Sequence, residues 1–236
     1  MIRSLPCLVA FAVVLPNAVA AQDRDTARYS PERSSHWSFE LGAGTDNRSK
    51  GTSKSGSDPY VFGDVQWNAA SGFYADAEFE TIQSSGSRVE TEMEAGWQGS
   101  AAGLEFDTSL SHKWRVGADA GADATTWEFQ FDVMRDFGAV DARLRLEHSP
   151  DGLGSTRETT WVETRLRWPL ADRLRASVML GRREQDNAPD YTGWNAGVAW
   201  GLTDTTALDL RWHGTDAADQ GSQYEDALVA SVLIGF

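Results

Sequence analysis

Charged side chains recur at every second position along several stretches of this sequence, and that spacing limits the chemistry open to them. Asp76, Glu78 and Glu80 alternate with apolar residues, Glu92 and Glu94 follow, and Arg143, Arg145, Arg165, Arg167 and Arg175 repeat the pattern further on. Strand side chains at i, i+2 and i+4 share a face, so these groups predict an acidic wall and a basic wall. Across a water-filled interior, such walls set up a transverse field that selects polar or charged solutes. Across a narrow interior the same groups pair and close it. Both readings are open at this level.

Candidates for catalysis are sparse. A hydrolase of the Ser/His/Asp type needs a nucleophile, a base and an orienting carboxylate brought together. The histidines are His36, His112, His148 and His213, and only His148 is followed by a serine, Ser149. His36 belongs to the opposite end of the chain's strands from the other three, which are expected at one rim. The glycine-rich spots Gly42 to Gly44 and Gly117 to Gly121 are not followed directly by a Lys-Ser/Thr pair, so neither is a phosphate loop. Asp216, Asp219, Glu225 and Asp226 crowd the last loop, either as solvated carboxylates or as a site for cations bridging lipopolysaccharide. No catalytic residue, metal site or cofactor is assigned.

The elements that would carry these walls alternate throughout. Twelve segments place apolar residues at every second position, among them Phe73, Ala75, Ala77 and Phe79, and Val140, Ala142, Leu144 and Leu146. The last runs Leu228, Ala230, Val232, Ile234 and Phe236 to the chain's end. Two classes of connection alternate between them. Short ones lie at 70–71, 99–102, 137–139, 169–173 and 201–205; long polar ones lie at 46–59, 83–88, 115–125, 149–158, 183–190 and 213–226. That sorting predicts an all-β fold, a transmembrane antiparallel barrel of about 12 strands with short periplasmic turns and longer extracellular loops. Trp67, Trp97, Trp168 and Trp200 fall near the short turns and Trp127, Trp194 and Trp212 near the long loops. With Phe236 they are expected at the two lipid–water boundaries. Cross-strand aromatic pairing in a soluble barrel is the competing account.

Residues 1–21 read as a secretory signal peptide: Arg3, an apolar core from Leu8 to Leu15, and a small-residue cleavage site at Ala18-Val19-Ala20. Residues 22–35 form a polar, flexible periplasmic lead, and 36–236 the barrel. Cleavage removes Cys7, the single cysteine, which excludes disulfides and thiolate metal sites from the mature chain. A net charge of −14 counts against nucleic-acid binding, which relies on neutralising phosphates. The expected location is the outer membrane of a Gram-negative bacterium. Expected partners are its lipid and lipopolysaccharide, together with the barrel-insertion machinery, which would read the closing strand; no oligomeric state is assigned.

Residues 46–74, DNRSKGTSKSGSDPYVFGDVQWNAASGFY, carry the most particular pattern. The stretch resembles the first hairpin of the TorF family of proteobacterial outer-membrane porins, where an S-D-Y-x-F-R-G-I-S-Q loop leads to D-P-x-x-Q-G and S-G-F-Y. Asp46, Gly51, Ser53, Asp58, Pro59, Gly63, Ser71, Gly72, Phe73 and Tyr74 match. Ser49 and Lys50 stand where the family has its aromatic–arginine pair, and Thr52 replaces the isoleucine. The resemblance implies a pore-type barrel and carries over no catalytic residue. The function expected is an outer-membrane channel for passive diffusion of small polar or charged solutes, not an enzyme. A non-conducting structural barrel, an adhesin or receptor, and a lipid-modifying hydrolase are the alternatives.

Overall fold

The computed structural model describes residues 36–236, so the expected signal peptide and the lead at 22–35 lie outside the described residues. Alternation produces strands β1 (His36–Gly44), β2 (Arg48–Ser49), β3 (Thr52–Ser53), β4 (Tyr60–Asn68), β5 (Phe73–Ser84), β6 (Ser87–Ala101) and β7 (Leu104–Val116). After them come β8 (Thr125–Asp136), β9 (Asp141–Ser149), β10 (Thr159–Ala171), β11 (Leu174–Gln185), β12 (Tyr191–Gly201), β13 (Thr206–Thr215) and β14 (Ala227–Gly235). All but β2 and β3 close into one twelve-stranded barrel, β1-β14-β13-β12-β11-β10-β9-β8-β7-β6-β5-β4. Its neighbours are antiparallel throughout.

The seam joins the two ends of the described chain. Glu40 stands opposite Gly235 and Gly44 opposite Ser231. Beyond β14, the Phe236 N–H donates to the Phe39 carbonyl at 2.9 Å, and the Phe39 N–H returns the bond at 3.3 Å. A closed ladder leaves no edge strand with unpaired backbone groups.

Side-chain polarity is the reverse of a water-soluble barrel's. Trp37, Phe39, Leu41, Phe73, Met93, Leu144, Leu180 and Leu228 are exposed on the outside, whereas Asp76, Glu94, Asp107, Asp132, Arg143, Arg145 and Arg211 are buried inside. Two small apolar clusters interrupt the charged interior: Tyr60, Phe62 and Leu233, and Trp161, Met179, Tyr191, Ala217 and Tyr224. Among the described residues no helix is long and apolar enough to cross a membrane, which says nothing about strands.

Connections sort by end, with two corrections to the boundaries read from sequence. Segment 83–88 is not a long loop. Ser84 pairs with Ser87 across Ser85 and Gly86, whose φ of 50° and 77° make the two-residue turn that suits twisted hairpins. Its polar composition mimics a loop, yet β5 and β6 run on through it. The turn expected at 99–102 likewise falls at Ala102-Gly103, because β6 continues to Ala101.

Candidate functional site

On the inward face of β5 and β6, three rows of carboxylates stand directly across from one another: Asp76 with Glu94, Glu78 with Glu92, and Glu80 with Glu90. Like charges in register repel, so this wall folds only with counter-ions or water beside it. Three cations lie against two of these rows, at Glu80, Glu90 and Glu92. Arg115 Nε donates to Glu90 at 2.8 Å, and Lys113 lies 2.6 Å from Glu128 and 3.5 Å from Glu92. Lys54 pairs with Glu80 and, at 2.6 Å, with Glu90. Burial opposes the Lys54 ammonium, but Glu80 and Glu90 outweigh it and hold its pKa above the usual value.

The arginines run along β9, β10 and β11. Arg145 sends Nε and Nη2 to the two oxygens of Asp132 at 2.8 and 2.6 Å, a forked pair across β8 and β9. Arg143 pairs with Glu163, and Arg165 reaches the same carboxylate at 3.3 Å. Arg167 holds Asp141 at 3.1 Å near the short-turn rim, and Arg175 lies within electrostatic reach of both. The twelve-strand ring places β11 six strands from β5, the greatest separation it allows.

The remaining sites divide by face. Trp97, Trp127, Trp200, Trp212 and Phe236 are exposed outside, while Trp67, Trp168 and Trp194 share that face half-buried. Of the histidines expected together at one rim, His112 lies on the outer face, stacked on Trp114 and tilted against Trp127, and His148 there meets Thr160. His213 is buried in the interior. The barrel wall separates His213 from His112 and His148, so the three do not come together at one rim. Among the described residues no cluster of metal-ligating side chains is found.

Sequence reading missed the contribution of the first long loop, residues 45–59. It folds into the barrel, with Asp46, Asn47, Arg48 and Ser55 all buried. Its fork is internal: Asp46 accepts from Arg48 Nε at 2.6 Å and from Ser53 and Ser55 at 2.6 and 3.0 Å. Strands β2 and β3 form a hairpin whose turn, Lys50-Gly51, has φ of 56° and 88°. From that tip Lys50 pairs with Glu147 and lies 3.3 Å from Glu128. The hairpin divides the interior into an outer cavity of about 370 Å³ and a deeper one of about 170 Å³. Lys50, Lys54, Lys113 and Glu128 border both. Asp209 and Arg211 of β13, joined at 2.9 Å, were also passed over, although the parity of Leu208, Leu210 and Trp212 points them inward.

A family model described as a bacterial protein of unknown function, Gcw_chp, matches residues 30–233. The chain belongs to the Gcw_chp family. No curated protein matches it. Among solved structures, this Gcw_chp protein is similar to the KdgM porin, with a TM-score of 0.61 and 9% identity over 84% of this chain and 99% of that one. The NanC porin aligns with a TM-score of 0.56 and 9% identity, covering 84% and 97%. An outer-membrane channel from Pseudomonas putida F1 aligns at 0.53 and 10%, covering 86% and 95%. At such identities the likeness concerns the fold, a closed antiparallel barrel shared across the Gcw_chp chain and these three.

Proposed function

We propose that this Gcw_chp protein is an outer-membrane channel for passive diffusion of small polar or charged solutes. The observation that carries the reading is the pairing of an apolar outer face with a charged interior that holds open space on both sides of the hairpin. Hydrocarbon demands that every backbone polar group be satisfied, and a closed twelve-stranded ladder meets that demand. An interior so rich in charge stays wet, which is what passage of a hydrophilic solute needs. The porins and channel of similar fold, and the resemblance of residues 46–74 to the TorF porins, support the same function. Acidic residues 76, 78, 80, 92 and 94 and the five arginines would line the path, the tryptophan rings would sit at the lipid boundaries, and β14 would be the strand read by the insertion machinery.

The test is single-channel recording of refolded protein in planar lipid bilayers. Stepwise, ohmic conductance is expected. The hairpin across the lumen favours a second reading, a sealed structural barrel. Silence over many insertions of demonstrably folded protein, both intact and with the hairpin shortened, would leave that reading standing and remove the channel. For catalysis the separation of His148 from His213 by the barrel wall offers no support.

A further inference from the structure

The hairpin does not merely hang into the lumen; it is fastened on three sides of the ring. At its base, Asn47 donates to Glu80 Oε2 at 2.9 Å and the Gln83 N–H donates to the Lys54 carbonyl at 2.7 Å, tying it to β5. From its tip Lys50 reaches Glu128 on β8 and Glu147 on β9. On the third side it abuts β12 and β13 at two glycines. A Cβ on Gly193 would lie 2.4 Å from the Lys50 carbonyl oxygen, and one on Gly51 would lie 2.9 Å from the Gly214 carbonyl oxygen. Any side chain at Gly193 would drive the tip off its seat.

We propose that the Lys50-Gly51 turn is the constriction of the channel and that Lys50 is its selectivity-determining residue. The inference rests on the channel reading above. Lys50 borders both cavities, as Lys54 and Lys113 do, and of the three it alone stands at the hairpin tip, so a solute passing from the outer to the deeper one passes its ammonium group. That ammonium occupies the space between Glu128 and Glu147 as a tethered cation. A free cation in transit must displace or bypass it.

A chain begun at residue 22 lacks Cys7 and has no cysteine of its own, so Lys50→Cys offers a single target for charged thiosulfonate reagents. The reagents are added after insertion, when folding is complete. A unit charge about 4 Å from an ion's path changes its local concentration about fivefold in water. A sulfonate reagent attached to the Lys50→Cys variant is therefore expected to raise the cation-to-anion permeability ratio several-fold, and a trimethylammonium reagent to lower it. Current that responds in this way supports the proposal. Conductance in the unmodified protein with no change in reversal potential from either reagent would overturn it and leave the channel reading intact. If intact protein is silent while a version with residues 48–53 replaced by two glycines conducts, the hairpin is the constriction in its closed form. If both are silent, the channel and the constriction fall together.

Discussion

Asp132 engages two guanidinium groups in the arginine-lined half of the interior. It takes both arms of Arg145, at 2.8 and 2.6 Å, and lies 3.9 Å from Arg143. Asp132→Ala would leave two adjacent guanidinium groups in a buried place without that anion, and removing one partner of a buried pair costs about 3 kcal/mol. A loss of that order is expected in urea titrations of folding into phospholipid vesicles. The Arg167–Asp141 pair has its partners 25% and 49% exposed at the rim, so solvent weakens it. Arg167→Ala is expected to cost under about 1 kcal/mol in the same titration. Equal losses would mean that the interior pair is as well hydrated as the rim.

At the level of elements, β14 closes the ring, pairing with β13 before it and with β1 from the other end of the described chain. Removing residues 228–236 opens the ring and exposes two strand edges, which hydrocarbon does not tolerate. Such a chain is expected to show no compact, heat-modifiable band on cold gel electrophoresis, whereas Phe236→Leu should still show it. A compact band from the truncated chain would argue that the barrel closes without its last strand. The parity of β14 was readable from sequence because every second residue from Leu228 to Phe236 is apolar, and in β5, β8 and β9 apolar residues likewise alternate with polar or charged ones. The turn at Ser85-Gly86 was not, since polar residues on a protruding hairpin look like a loop. The inward hairpin was illegible for a related reason. Residues 46–59 carry no apolar period, and whether such a segment projects outward or folds inward depends on carboxylates at Glu80, Glu90, Glu128 and Glu147, dozens of residues away. The glycines that seat it, Gly51 and Gly193, acquire meaning only once both are placed in space.

Over the whole molecule, polarity divides by face, and the tryptophans record that division. Trp127 is 55% exposed on the outer wall near the long-loop end, whereas Trp161 is 2% exposed on the inner wall, its indole N–H donating to Glu163 at 2.8 Å. If the outer wall meets lipid, bromine carried on the acyl chains quenches Trp127 and leaves Trp161 bright, because a wall of backbone lies between. Trp127→Phe is then expected to lower the fraction of emission quenched by brominated phospholipids, and Trp161→Phe to raise it. Bromines near the headgroups should quench the folded protein more than bromines at the bilayer centre, since the other outward tryptophans gather towards the two ends of the strands. A soluble barrel with cross-strand aromatic pairs predicts neither dependence. Were both substitutions to change quenching equally, or bromine depth to make no difference, the outer face would not be the one in contact with lipid. The charged interior would then need another explanation than passage through a membrane.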